Sequence, residues 1–397
     1  MTGTHFEASW DQARELVHNV ARNQPVVDVE VANAHGFVLA EDVHALADMP
    51  PFAASRIDGW AVSGPGPWRN VGDARAGHES SVTLAHGECI HIATGAVMPP
   101  GSTACLKDEE SSLVGDLVSA AEGALGILEA DSSLPNMHDV RPVGYEARNG
   151  ELLIAAHTTL SPALVGLAAG AGHDTLRVFT KPTVDVIIFG DELLDDGPSR
   201  DGKVRDSLGP QLSGWVSFLG ADLNSVNRAE DTLAAHVSAI NRSTADIIVT
   251  TGGTAAGPVD HLHRAIDECG GDLLVDAVLV RPGYHQLFAQ LKSQVLIGLP
   301  GNPQSAVIGL LSLGAAHISG MYGQSIPELP TRTVSRAVRA PHHEIKFTLC
   351  KESAEHVTPV EHVDSSMLRG FVQADGYAIV PAGGVTEGAN VRWLALP

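Results

Sequence analysis

The sequence predicts a multidomain α/β protein: a central parallel-sheet domain, an inserted β-rich domain, a small helical and extended domain, and a C-terminal β domain. Three observations carry this reading. At 397 residues the chain exceeds one ordinary hydrophobic core. Within residues 183–320, apolar strand-like runs alternate with helical patterns, the signature of βαβ units and a parallel sheet. Residues 52–140 and the stretch from about 325 onward consist instead of short β-like runs separated by Gly, Pro and Ser. The implied domains are 1–50 with 141–180, 51–140, 181–324 and 325–397.

Composition narrows the class of partner. Hydrophobic residues make up 44% and charged residues 18%, as in a globular chain rather than a disordered one. The net charge of −22 argues against nucleic acid or an anionic membrane as the main partner, so an anionic ligand would need a local cluster of cations. Cys89, Cys105, Cys269 and Cys350 form no CxxC pair, which fits a reduced, cytoplasmic protein. The N-terminus carries Glu7, Asp11 and Glu15 and no apolar core, so no signal peptide is expected. Residues 306–318 are apolar but short for a membrane span and broken by Gly309, Gly314 and His317.

Taken in order, Phe6, Trp10, Ala13, Leu16, Val17 and Val20 recur at helical spacing and predict an amphipathic helix over 5–22. Residues 26–46 read as extended and then helical, ending at Met49-Pro50-Pro51. Ser161-Pro162 starts a helix through Leu164, Leu167 and Ala168. Strands are expected at 184–189, 223–226, 247–250, 274–280 and 295–297. Helices fall between them, one at 212–219 ended by Gly220 and one capped by Asp231. Further strands are expected at 331–338, 345–349, 357–363 and 377–380.

The chemistry should lie where the central strands end, because open α/β sheets bind ligands beyond their carboxyl ends. Four loops there carry polar groups. They are Gly190-Asp191-Glu192; Lys203 to Ser207 with Arg205 and Asp206; Thr251-Gly252-Gly253 through Asp260; and Leu299-Pro300-Gly301-Asn302-Pro303. Gly lets the backbone turn tightly and approach an anion, and acidic residues beside such turns suit a hard cation such as Mg²⁺. Asp191, Asp206 and Asp260 would serve equally as helix caps. His261-x-His263 and His342-His343 lack a partner at metal-ligand spacing and read as surface histidines.

Together with Asp58-Gly59-Trp60-Ala61-Val62 and Thr94-Gly95-Ala96, these loops resemble the molybdopterin molybdenumtransferase family, which includes the E domain of gephyrin. The first of these stretches is similar to a DGYAV loop and the second, with Pro99 and Glu109 or Glu110, to a TGAxxP…E stretch. Gly190 to Leu193, Thr251 to Asp260 and Leu299 to Pro303 are similar to the TGDEL, SGGVSVGxxD and LPGNP loops. The resemblance implies a homodimer whose cleft lies between the α/β domain of one protomer and the inserted β domain of the other. It implies Mg²⁺-dependent insertion of molybdate into adenylated molybdopterin, with release of AMP. Asp58, Thr94, Asp231 and Asp260 would then be catalytic, and Glu192 and Asp260 would hold the metal. Gly190, Asp191, Ser207, Thr251, Gly252, Gly253, Arg281, Pro300 and Gly301 would bind the pterin substrate.

The departures from the pattern have chemical content. The KPGKP loop reads Arg281-Pro282-Gly283-Tyr284-His285, so a neutral phenol stands where a lysine would meet an anion. Ala255 removes a hydroxyl, Leu208 an amide, and Gly144-Tyr145-Glu146 replaces a GED element. Arg281, Arg205 and Lys203 are the residues expected to compensate. The alternative implied is a gephyrin-like dimeric scaffold binding a peptide of a membrane receptor or a cytoskeletal or cell-division protein, with Phe347, Met367, Leu368 and Phe371 as candidate anchors.

Overall fold

A computed structural model describes residues 7–78, 81–114, 126–130, 134–255, 261–354 and 356–397. The chain divides into two compact units: Met1–Val27, Gly36–Val38 and Phe179–Pro397 form the first, and Asp28–His35 and Leu39–Val178 the second.

The first unit is built on a six-stranded sheet. In chain order its elements are β1 (Thr183–Phe189), α1 (Gly209–Phe218), β2 (Asp222–Ala229), α2 (Leu233–Arg242), β3 (Ile247–Thr251), α3 (Leu262–Glu268), β4 (Asp272–Val275), β5 (Leu287–Gln290) and β6 (Val295–Leu299). The spatial order is β2-β1-β3-β6-β5-β4. β1 is parallel to β2 and to β3, and β3 is parallel to β6. β1, β3 and β6 are apolar almost throughout because both faces are covered. The sheet is mixed, however: β5 runs antiparallel to β6 and to β4. The expected strand over 274–280 is interrupted, its later residues pairing elsewhere as Ala277–Val278 and Val280–Arg281.

The N-terminal helix is Trp10–Asn19, shorter than its apolar periodicity suggests. Glu7 and Ala8 pair in parallel with Ala277 and Val278, and Ser9 and Gln12 close a reciprocal capping box. No helix forms over 26–46: a strand at Val26–Glu30 leads to a single 3₁₀ turn and two short strands. Residues Pro303–Met321 form one continuous helical stretch of 19 residues, long and apolar enough to cross a membrane yet 94% buried. It is a core helix: Trp10 Nε1 donates to Ser312 Oγ at 2.8 Å from the N-terminal helix packed along it. The C-terminal part of this unit is a second six-stranded sheet that includes Ile345–Ser353, Gly376–Val380 and Asn390–Ala395. That last strand, and a short helix at Arg369–Gln373, were not expected.

The second unit holds a six-stranded sheet drawn from residues 59–129, around a core that includes Trp60, Trp68, Ile90 and Leu106. Its helix Pro162–Gly170 starts at Ser161, whose Oγ accepts the Leu164 N–H at 3.3 Å.

Candidate functional site

The strand order places the loops after β2, β1, β3 and β6 side by side. The turns after β3 and β6 are tied together, Gly252 N donating to Leu299 O at 2.9 Å. Gly252 has φ +88°, and a Cβ there would lie 3.1 Å from Phe189 O. Glycine is required because the turn passes directly over the end of β1. Gly190, at φ +135°, leaves room for the Glu192 carboxylate, which would approach an added Cβ to 2.6 Å.

Asp231 accepts from an imidazole rather than capping α2; the cap is Thr232, whose Oγ1 takes the Ala235 N–H at 3.3 Å. Asp231 Oδ1 lies 3.2 Å from Nε2 of the fully buried His236, and Asp191 Oδ1 accepts the Asp231 N–H at 3.4 Å. Burial lowers the His236 pKa, against the pull of Asp231. Asp191 and Glu192 are exposed, and Glu192 has no side-chain hydrogen bond or ion pair among the described residues.

Asp206 is committed to structure. Its Oδ1 accepts the Leu208 and Gly209 N–H groups at 2.9 and 3.1 Å, and its Oδ2 pairs with Arg228 Nη2 at 2.8 Å. Ser207 beside it is half-buried, and Lys203 and Arg205 are exposed without an ion pair among the described residues. Asp260 lies outside the described residues. His261 is half-buried, and His263 Nε2 is 2.5 Å from Asp276 Oδ1, so the latter is a paired residue and not a plain surface histidine.

Arg281 faces a cavity of about 400 Å³ that the turn after β6 also lines. Its other walls include Tyr284, His285, Pro300, Asn302, Lys346 and Asp364. The expected cation is already paired, Arg281 Nε donating to Glu344 Oε2 at 2.6 Å. Tyr284 donates its hydroxyl to Glu7, and that bond, with burial, pushes the phenol up to about 12. Lys346 Nζ donates to the Arg339 carbonyl at 3.2 Å. The 362–367 wall is held by Gln304, whose Nε2 donates to Asp364 O at 2.8 Å and Met367 O at 2.7 Å.

The second unit brings Asp58 and Thr94 together: Asp58 Oδ1 accepts the Thr94 N–H at 2.8 Å. Both are exposed. Gly59 is obligatory between them and the sheet, since a Cβ there would fall 2.2 Å from Leu106 O. A cavity of about 620 Å³ in this unit is lined by Arg141, Tyr145 and Glu146 among others. The Arg56 guanidinium lies 4.6 Å from the Tyr145 ring centroid.

Three family profiles match in succession. The MoeA N-terminal region (domain I and II) covers residues 8–172, the probable molybdopterin binding domain 185–318, and the MoeA C-terminal region (domain IV) 336–396. The chain belongs to the MoeA and gephyrin E-domain family. Among curated relatives, the molybdopterin molybdenumtransferase of Staphylococcus aureus strain COL is 26% identical over 75% of this chain and 72% of its own length. That of Staphylococcus epidermidis is 26% identical over 71% and 68%. Two solved structures of the molybdopterin biosynthesis MoeA protein of Pyrococcus horikoshii share the fold. They cover 98% of this chain and 99% and 100% of their own, at TM-scores of 0.77 and 0.81 and identities of 24% and 19%.

In this MoeA-family chain the structure therefore gathers Gly190, Asp191, Glu192, Asp231, Thr251, Gly252, Gly253, Pro300 and Gly301 at adjacent strand ends. It places Arg281 at a cavity and pairs Asp58 with Thr94. Sequence reading missed His236, Lys346 and Gln304. His236 had a signal in retrospect, a histidine on the inward face of α2; Lys346 and Gln304 had none, because folding alone brings them to the cavity.

Proposed function

We propose that this protein inserts molybdate into adenylated molybdopterin in a Mg²⁺-dependent reaction that releases AMP, acting as a homodimer. The observation that carries the reading is the row of adjacent strand ends, where the tied turns at Gly252 and Leu299 stand beside Asp231, Asp191 and an unengaged Glu192. Backbone N–H groups at Gly-rich turns bind phosphate oxygens, and carboxylates beside them recruit a cation. Thr251, Gly252, Gly253, Pro300, Gly301, Gly190 and Ser207 would orient the pyrophosphate-linked substrate. Asp58, Thr94, Asp231 and Asp260 would act on it. The curated relatives named above are called molybdopterin molybdenumtransferases, which supports the molybdenum-transfer part of this reading.

Among the described residues no three His, Cys, Asp or Glu side chains converge on one point. Mg²⁺ is commonly held by one or two carboxylates and completed by substrate phosphates and water. Glu192 would hold it, with Asp260 as the second carboxylate. When bound, the ion would neutralise charge on the phosphate linkage during cleavage.

Purified protein given adenylated molybdopterin, Mg²⁺ and molybdate should release AMP, measured by chromatography, and chelation of Mg²⁺ should abolish release. Absence of AMP at high enzyme concentration would sink the proposal. One observation favours the second reading, a peptide-binding scaffold: Met367 and Leu368 are exposed at 40% and 39%, and Val372 at 89%. Phe347 is buried and so is not available as an anchor, whereas Phe371 is half-buried and packs edge-on against Tyr377.

A further inference from the structure

A single imidazole touches three of the loops at this rim. The ring of His236 stacks on Phe189, the last residue of β1, with centroids 3.5 Å apart and planes 16° from parallel. Its Nε2 lies 3.2 Å from Asp231 Oδ1, in the loop after β2. Its Cε1 lies 3.4 Å from the point a Cβ on Gly253 would occupy, in the turn after β3. His261, just ahead of α3, faces it edge-on at 5.7 Å. His236 is fully buried, and its Nδ1 has no hydrogen-bond partner among the described residues.

The protonation pattern follows from the partners. A carboxylate only accepts, so Nε2 carries the hydrogen and Nδ1 is a bare lone pair. A second proton on Nδ1 would find no acceptor among the described residues, and burial disfavours the cation. Among the described residues, the charged or titratable groups facing the ring are Asp231, with Asp191 behind it through the Asp231 N–H, and His261. Packing alone does not require this arrangement, since a leucine or phenylalanine would fill the volume without stranding a buried nitrogen.

We propose that His236 is a positioning residue for the reaction. As the neutral Nε2–H tautomer it holds the Asp231 carboxylate in one orientation, while its stacked face and edge set the spacing of the turns after β1 and β3. The inference rests on the reading above, in which Asp231 meets the substrate.

The test compares His236→Phe, which keeps a ring against Phe189, with His236→Gln, which keeps a side-chain N–H near the Nε2 position. For His236→Phe, kcat for AMP release should fall roughly tenfold to a hundredfold, with KM for the adenylate changed by less than about threefold. His236→Gln should recover most of the loss. A wild-type kcat in His236→Phe, or equal losses in the two variants, would overturn the proposal. Nitrogen-15 NMR of the histidine side chains provides a readout that needs no turnover. His236 should be a neutral Nε2–H tautomer at about pH 8 and become a tautomer mixture in Asp231→Ala. An Nδ1–H tautomer in the wild type overturns the dyad even if AMP is released. An Nε2–H tautomer in a protein that releases no AMP keeps the dyad and removes the transferase reading instead.

Discussion

Restoring a lysine at position 284 should reveal what Glu7 does at the Arg281 loop. In the structure the Tyr284 hydroxyl is tied to the Glu7 carboxylate, and the neighbouring Arg281 is tied to Glu344. An ammonium introduced by Tyr284→Lys would have the same Glu7 carboxylate within reach. For an ion pair at about 4 Å the Coulomb attraction is about 4 kcal/mol at an effective dielectric near 20, although exposed pairs retain only about 0–1 kcal/mol net. A charge-assisted hydrogen bond to a ligand phosphate is worth about 1.5–3 kcal/mol, and Glu7 competes for it. Tyr284→Lys alone should therefore tighten molybdopterin binding by about 1–2 kcal/mol, roughly fivefold to thirtyfold. Adding Glu7→Gln should bring the gain to about 1.5–3 kcal/mol, roughly tenfold to 150-fold. Isothermal titration calorimetry on the wild type, both single variants and the double variant closes the cycle. A double variant no tighter than Tyr284→Lys would refute the competition by Glu7. No gain in either would show that this loop does not meet the phosphate.

The other predictions concern stability and reactivity. Asp185 is buried and accepts from Ser225, Ser243 and Asn224 at 2.5, 2.6 and 2.9 Å. Burial alone would raise its pKa, but these bonds outweigh it and the net shift is downward. A carboxyl depressed in the folded state stabilises above its unfolded value, about 3.9, and loses that contribution as pH falls through the folded value. Asp185→Asn should therefore cost roughly 1–3 kcal/mol at pH 7, measured by urea unfolding, with the difference closing in acid. Gly252→Ala forces a Cβ to 3.1 Å from Phe189 O at φ +88° and should cost about 1–3 kcal/mol, read as a lower Tm together with weaker pterin binding. Cys89, Cys105 and Cys350 have thiols raised by burial to about 12, 11 and 12. A disulfide reagent at pH 8 should leave these three unmodified until the protein is unfolded.

What the sequence revealed depended on how local the determining interaction is. β1, β3 and β6 were legible because strands buried on both faces are written as continuous apolar runs, and the helix at Pro162 because its Ser161 cap is one residue away. The antiparallel β5 was not, since a four-residue strand between two others carries no periodicity that distinguishes it from a loop. The same distinction governs the site. Motifs located the turns at Gly190, Gly252 and Gly301, and at the first two a tight backbone path demands glycine at the path itself. They could not say which charges are available there. Arg281 was expected to compensate for the missing lysine, yet Glu344, 63 positions away, takes its guanidinium. Asp231 was expected to cap a helix, yet His236 inside that helix turns back to meet it. A binding loop's geometry is encoded in the loop, whereas its electrostatics are set by whatever the fold places against it. The family-divergent residues of this chain should therefore be tested together with those facing partners, not one position at a time.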